Sequence, residues 1–333
     1  MMDMRLAVAF LAFVPAFAAG NSSSVDLLAF APADAQVLAG ANVTSVKGSM
    51  IGQFVLSKVN PSDTQFQEFM SKTGINPLTD VSEVMVSASG LPGQAAHWVF
   101  AAHGTFNIAS IEKDAETNGG TVSHLTGVDV LQFTSPKQAC LAVFQDTFTI
   151  AAGDCDSVQA IAAGKPAAGT GAALKTAETL KAQEDAWFSS TIPVSSLQGA
   201  APKGGPNPVL NTEVFKSIQA SSGGLKFLSN PATVQATGTI VTDTAANAAS
   251  LKNVLQFILG FVQGNQQVGG LLSSANIAAS GNTVTVGVTV PQDALEQLFN
   301  AVHNRAQINE RRPGQHSSAA SSSGTAAEAY QEK

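Results

Sequence analysis

Between Thr233 and Val302 the apolar positions follow two different periods, and the changes of period mark out strand, helix, hairpin and helix. Val234, Ala236, Gly238 and Ile240 alternate with Gln235, Thr237 and Thr239, the period of a strand with one buried side. Asp243 stands where an N-cap is expected. Leu251, Val254, Leu255, Ile258 and Val262 then form one stripe along a helix over 245–262. Ser280-Gly281-Asn282 reads as a turn, and the chain returns as Val284, Val286, Val288 and Val290 with Thr283, Thr285 and Thr289 on the opposite side. Pro291 suits the first position of a further helix, striped by Leu295, Leu298, Phe299 and Val302. The pattern predicts an antiparallel sheet with helices packed on one face and a Thr/Ser/Gln face left to water or to a partner.

Upstream, the same reading predicts a strand over 34–46, helices over 49–59 and 63–72, and Gly74 as the stop of the second helix. Strands follow at 81–89 and 97–103, joined by a turn around Gly90-Leu91-Pro92-Gly93. Asn107 caps a helix carrying Ile108, Ile111 and Ala115, which Gly119-Gly120 ends. Strands at 121–125 and 128–133 lead to a hairpin over 141–152 that turns at Asp146-Thr147, and then to a helix near 157–163 capped by Asp156. From Asp185 the chain begins again. Residues 185–197 repeat the pattern of 34–46, with Pro193-Val194-Ser195-Ser196-Leu197 matching Asn42-Val43-Thr44-Ser45-Val46, and 279–298 repeat 144–161. The expected fold class is α+β, in two tandem modules, 26–163 and 185–305. Each is a mainly antiparallel sheet with helices on one face. An Ala/Gly-rich linker over 164–184 carries a helix at 172–182. Gln198–Asn211, rich in Pro and Gly, reads as a long irregular loop of the functional or mobile kind. Past 306 the chain turns to Ser, Ala and Gly, too little apolar surface to offset ordering, so the tail 306–333 is expected to be disordered.

Composition narrows the partners. Charged residues make up 12% of the 333 and the formal net charge is -7, against about 25% charged residues in an ordinary soluble domain. The surface must therefore be largely Ser, Thr, Asn, Gln, Gly and Ala, and the scattered Lys and Arg form no patch for nucleic acid or an anionic membrane. Arg5, the apolar run Leu6–Val14, Pro15 and Ala16-Phe17-Ala18-Ala19-Gly20 read as a cleaved signal peptide over 1–20, which implies export to the periplasm or the exterior. No other run reaches the roughly 20 apolar residues of a membrane span. The helix over 245–262 comes nearest and is interrupted by Asn247, Lys252, Asn253 and Gln256, so no integral membrane span is expected in the mature chain.

In an oxidising compartment Cys140 and Cys155 invite a bridge. A two-residue turn in the hairpin pairs Cys140 with Gly153 and leaves Cys155 two residues along. A bridge closing that loop is worth on the order of 3 kcal/mol, and the alternative is two separate buried thiols.

Chemistry-bearing patterns are thin. Ser110-Ile111-Glu112-Lys113 spells Ser-x-x-Lys, Lys72-Thr73-Gly74 spells Lys-Thr-Gly and Ser274-Ala275-Asn276 spells Ser-x-Asn, the three elements of penicillin-binding enzymes. Their order is scrambled, and Lys72 before Gly74 is explained by a helix end. His97 and His103 share a strand face with Val99 and Ala101 between them, roughly 20 Å apart and too far to share a metal; His124 joins either only through tertiary contact. Asp154-Cys155-Asp156 opens like a calcium loop but lacks its Gly and closing Glu. Trp98 and Trp187 read as packing residues. Asn42-Val43-Thr44 and Asn21-Ser22-Ser23 are sequons. No catalytic residue, cofactor or metal ligand is assigned from the sequence.

The signal peptide, the tandem modules and endings such as Gly281-Asn282-Thr283-Val284-Thr285-Val286 followed by Pro291-Gln292-Asp293-Ala294-Leu295 resemble uncharacterised exported proteins of environmental bacteria, acidobacteria among them. The likeness covers most of the chain and implies no activity. The sequence favours a non-enzymatic envelope protein that binds another protein or a small ligand through its polar sheet face or the Gln198–Asn211 loop. The alternatives are a hydrolase whose site is assembled from distant residues, and a self-assembling envelope subunit.

Overall fold

The computed structural model describes residues 26–58, 62–90, 97–133, 139–145, 149–164, 171–197, 213–264 and 269–296. The expected signal peptide, the Asn21 sequon, the turns at 91–93 and 146–147, the Gln198–Asn211 loop and the tail 306–333 lie outside them. In chain order the elements are β1 (Val37–Asn42), α1 (Val43–Gly48), α2 (Met50–Lys58), α3 (Thr64–Thr73), β2 (Val81–Ala88), β3 (Trp98–Gly104) and α4 (Ile108–Thr117). β4 (Thr121–Leu125), β5 (Val128–Phe133), β6 (Ala139–Phe144), β7 (Thr149–Gly153), α5 (Cys155–Ala162) and α6 (Ala172–Gln183) follow. The remainder is β8 (Ala186–Ser190), α7 (Glu213–Lys216), β9 (Ile218–Ser229), β10 (Ala232–Thr242), α8 (Ala245–Gln263), β11 (Asn276–Ser280) and β12 (Thr283–Pro291), with helical residues resuming at Gln292.

Local chemistry explains most boundaries and moves several from where the periodicity places them. The strand expected over 34–46 ends at Asn42, whose side chain accepts from Ser45 N at 2.9 Å and so caps α1 over residues expected to be extended. Its counterpart after β8, Val194–Leu197, is likewise a 3-10 turn. Asp154, not Asp156, caps α5 by accepting from Ser157 N. Thr244, not Asp243, caps α8 by accepting from Asn247 N. β9 carries no clear alternation, because Ser221-Ser222-Gly223-Gly224 interrupts it, yet at 12 residues it is the longest strand.

The twelve strands among the described residues belong to one antiparallel sheet in the order β11-β12-β10-β9-β8-β1-β2-β3-β7-β6-β5-β4. The halves therefore share a sheet, joined where β1 pairs β8 with Leu38 opposite Ser189. Directly opposed residues of antiparallel strands share a face, so the register sorts side chains across the molecule. On the front face a row runs Val99, Ser87, Leu38, Ser189, Ser222, Thr239, Thr285, and beside it Ala101, Met85, Gly40, Trp187, Gly224, Thr237, Gly287. On the back a row runs Phe100, Val86, Ala39, Phe188, Gly223, Gly238, Val286.

Helices do not keep to one face in the first half, contrary to the expected arrangement. A front cluster holds Leu27, Phe30, Leu38, Met85, Val99, Cys140 and Val158 together with Ala173, Leu174 and Ala177 of α6. A back cluster holds Val43, Ile75, Val81, Ile111, Leu131 and Ile150 under α1 and α4. β3, β5, β6 and β7 are consequently apolar on both sides, as strands covered on both faces must be. In the second half α8 lies on the back, packing Ala248 and Leu251 on Val284 with Ile240 and Ile277. The ladder pairs Cys140 with Gly153, and the Cys140 and Cys155 sulfurs are bonded at 2.08 Å.

Candidate functional site

The seam between the halves is shaped by two glycines. Gly40 and Gly224 sit on either side of Trp187 in one front row. A Cβ on Gly40 would stand 2.5 Å from the indole, and one on Gly224 would stand 2.3 Å from Glu184 Cγ. Small residues here let both side chains lie down on the sheet. The last turn of α6 then brings Lys181 and Ala182 over the same strands. The result is a front-face cleft of about 420 Å³, lined by Asp26, Glu83, Lys181, Glu184, Asp185 and Lys226 with Asn42, Ser45 and Trp187.

Its charges are matched across elements distant in sequence. Lys181 Nζ lies 2.9 Å from both Asp26 Oδ1 and Glu83 Oε1. Burial works against the Lys181 ammonium, but the hydrogen bonds that it donates to Glu83 and Asp26 prevail and hold its pKa above the ordinary lysine value. Lys226 Nζ is 3.5 Å from Asp185 Oδ1, while Asp185 Oδ2 accepts from Phe227 N at 2.8 Å. Thr237 Oγ1 donates to Glu184 Oε1 at 2.9 Å. Through Thr237 the cleft continues onto the threonine face of β10, β12 and β11, where Gln235, Thr237, Thr285 and Asn276 are exposed. Chemically the arrangement offers fixed charges of both signs beside an array of hydroxyl and amide groups, which suits binding of a polar partner.

Nothing local in the sequence marks this cleft, because its six charged residues span 26 to 226 and each stands among ordinary neighbours. The glycines inside β1 and β9 are the one readable signal, since a strand glycine often marks a close approach.

Of the three patterns singled out from the sequence two meet and the third lies far off: α3 ends against the first turn of α4, so that a Cβ on Gly74 would stand 3.0 Å from Ser110 Oγ and 2.9 Å from Asp114 Oδ2. Ser110 lies in the first turn of α4, its N–H donating to Asn107 Oδ1 at 3.1 Å and its Oγ 3.5 Å from Asp114 Oδ2. Gly74, at φ 64°, ends α3, with its N–H on Met70 O at 2.9 Å. Ser274 bonds Thr289 of β12, accepting from its N–H at 2.8 Å and donating to its carbonyl at 2.7 Å. About nine strand spacings, roughly 40 Å, separate Ser274 from α4.

The histidines serve local structure. His97 Nδ1 is 3.1 Å from Asp154 Oδ1 and 3.4 Å from Ser157 Oγ. Both neighbours address the same ring nitrogen, so it cannot donate to the carboxylate and accept from the hydroxyl as a relay requires. The Asp154 hydrogen bond and charge hold the His97 pKa above its ordinary value. For Asp154 burial opposes ionisation, but hydrogen bonds from Ser157 N, Trp98 N and His97 outweigh it and hold the carboxyl low. His103 is buried against Thr149 Oγ1 at 3.3 Å. His124, on the outer strand β4, pairs with Asp129, which also accepts from Gln145 Nε2 at 2.6 Å. Burial, then Asp129, raises the pKa of the neighbouring Glu112. Among the described residues no group of three His, Cys, Asp or Glu is arranged to hold a metal ion. The chain matches no protein-family model, no curated protein and no solved structure.

Proposed function

We propose that the chain is an exported, non-enzymatic binding protein of the cell envelope, and that it takes a hydroxyl-rich polymer on the front face of its second half. The observation that carries this reading is the change of the front face along the sheet. Val99 and Ala101 of β3 are core residues, whereas the same rows end in Thr237, Thr239 and Thr285, with Thr237 and Thr285 exposed. Strand spacing sets these groups at about 4.8 Å across the sheet and about 7 Å along it. Hydroxyl and amide groups that both donate and accept fit a polymer that does the same, and the charged cleft at the seam would hold its end.

The two halves are read as a tandem duplication, 26–163 and 185–305, joined by 164–184. The order β1-β2-β3-β7-β6 answers β8-β9-β10-β12-β11. In each a capped helix follows the third strand on the back, and another follows the last strand. Pairing β1 against β8 at Leu38 and Ser189 relates the halves by a pseudo-two-fold axis through the sheet. The first half adds the β4–β5 hairpin at its outer edge. Export, and kinship with the exported bacterial proteins that the chain resembles, belong to the same reading.

Co-sedimentation with insoluble peptidoglycan and neutral glucans tests it. The mature protein is expected to sediment with at least one of them, and Thr285→Arg with Asn276→Arg to weaken that binding about tenfold or more with an unchanged melting temperature. Failure to bind any of them, or binding indifferent to both arginines, overturns the reading.

A further inference from the structure

The back face carries an apolar strip that the described helices leave open. α8 covers β10, β11 and β12, and next to them Leu225 of β9 is 39% exposed and Phe188 of β8 is 44% exposed. α8 has one polar side, made by Lys252, Asn253, Gln256 and Gln263, and an apolar arc over more than half of its circumference, with Lys252 its one charged residue. Phe257 and Phe261, one turn apart, are 78% and 81% exposed, and Ile258 is 37% exposed. That arc is wider than the stripe of about 100° that a helix needs to cover a single sheet.

The exposed flank has a direction. Gln263 stands about 200° around the helix from Phe261, and its Nε2 donates to Leu272 O in the 3-10 turn Gly269–Leu272 that leads into the edge strand β11. The phenylalanine flank therefore faces the other way, toward β9 and β8 and their exposed Leu225 and Phe188. Beside α8 lies a gap in the helix layer, floored by those two side chains and walled by Phe257 and Phe261.

We propose that a second copy of this chain fills the gap, in a two-fold dimer whose two α8 helices lie side by side between the two sheets. The geometry is self-complementary: placing one copy's α8 over β8 and β9 of the other puts the second α8 over β8 and β9 of the first, as an isologous interface requires. The back-face helices of each first half then fall beyond the partner's β11 edge, while α7 and the 3-10 turn Val194–Leu197 stay against the Ala248 and Leu251 end of α8, away from Phe257 and Phe261. Taking an aromatic side chain at roughly 200 Å², the exposed parts of the five apolar residues come to about 500 Å² per copy. The pair thus buries about 1,000 Å² before any neighbouring contact, the lower bound of a specific interface. A patch of about 500 Å² per copy is at the upper end of what a soluble monomer exposes, about 300–600 Å², and patches of that size often serve an interaction. One charge on α8 leaves little to repel the partner.

Sedimentation equilibrium of the mature protein at 1–100 μM tests the proposal. A dimer is expected, with its dissociation constant raised about 100-fold or more by Phe257→Glu with Phe261→Glu, and independently by Leu225→Glu, each with an unchanged circular dichroism spectrum. Mixing a Phe261→Cys protein with a Leu225→Cys protein is expected to give a disulfide-linked heterodimer about tenfold faster than either protein alone gives a homodimer. A monomer at 100 μM, association only in the presence of added detergent or lipid, or a dimer that tolerates both sets of substitutions would overturn it. The threonine-face binding is read separately and is unaffected by these outcomes.

Discussion

Gln292 Oε1 accepts a hydrogen bond from Ile51 N at 3.0 Å, across 241 positions of sequence, while Gln292 Nε2 donates to Leu228 O at 3.1 Å. The side chain is 1% exposed. One glutamine thus fastens the first turn of α2, in the first half, to the end of β9 and the exit of β12 in the second. Replacing it by Ala takes the partner from a buried N–H and from a half-buried carbonyl, costing about 1–3 kcal/mol for the first and less for the second. Gln292→Ala is expected to lower the unfolding free energy by about 2–4 kcal/mol in urea titrations with little change of slope.

Lys47 is a buried cation, 5% exposed, with its Nζ 3.4 Å from Leu78 O and 3.3 Å from Val81 O. Burial lowers its pKa to about 8, against the attraction of Asp80. The folded protein therefore releases this proton near pH 8 and the unfolded chain near pH 10.5. Between those values the unfolded state holds more protons, so wild-type stability gains from this group as pH rises. Lys47→Met is expected to stabilise by about 1–3 kcal/mol at pH 7. Paired melts of both proteins should show that advantage shrinking above pH 8.

The Cys140–Cys155 bridge spans 15 residues and ties β6 to the start of α5. A loop of that length contributes about 3 kcal/mol. Reduction, or Cys140→Ala with Cys155→Ala, is expected to lower stability by about that amount, measured by denaturant unfolding with and without reductant.

Asp154 does two things: it caps α5 and it pairs with His97. An Asn can cap but carries no charge. In Asp154→Asn the helix signal should persist while the His97 pKa, followed by proton NMR, falls back toward its ordinary value. In the wild type the pairing stabilises the fold below the ordinary histidine pKa of 6.5, and the contribution is lost as pH rises through the raised folded-state value.

Strand and helix identities were legible wherever a local period was strong. β10, β12 and α8 stand where their stripes place them, and so does the hairpin that sets Cys140 opposite Gly153. β9 was not legible. Its Ser221-Ser222-Gly223-Gly224 run breaks the alternation, and it is a strand because β8 and β10 pair with it on either side, its glycines leaving the room that Phe188 and Glu184 occupy. The caps shifted by one or two residues because Asp and Thr compete for the same N–H groups, and local geometry settles which side chain reaches. The charged cleft was invisible for a different reason: Lys181 meets Asp26 and Glu83 only after α6 has docked across β1.

By itself the sequence determined which segments alternate, which are striped, and which turn, because those properties rest on the spacing of neighbours along the chain. Tertiary structure alone decided that β1 pairs with β8 to make a single sheet, that helices cover both faces of the first half, and that Phe188 and Leu225 are left beside Phe257 and Phe261. A strand's periodicity says which side is apolar but not which strand it lies beside or what lies above it. Those choices depend on contacts between residues distant in sequence, such as Leu38 and Ser189, which the fold alone supplies.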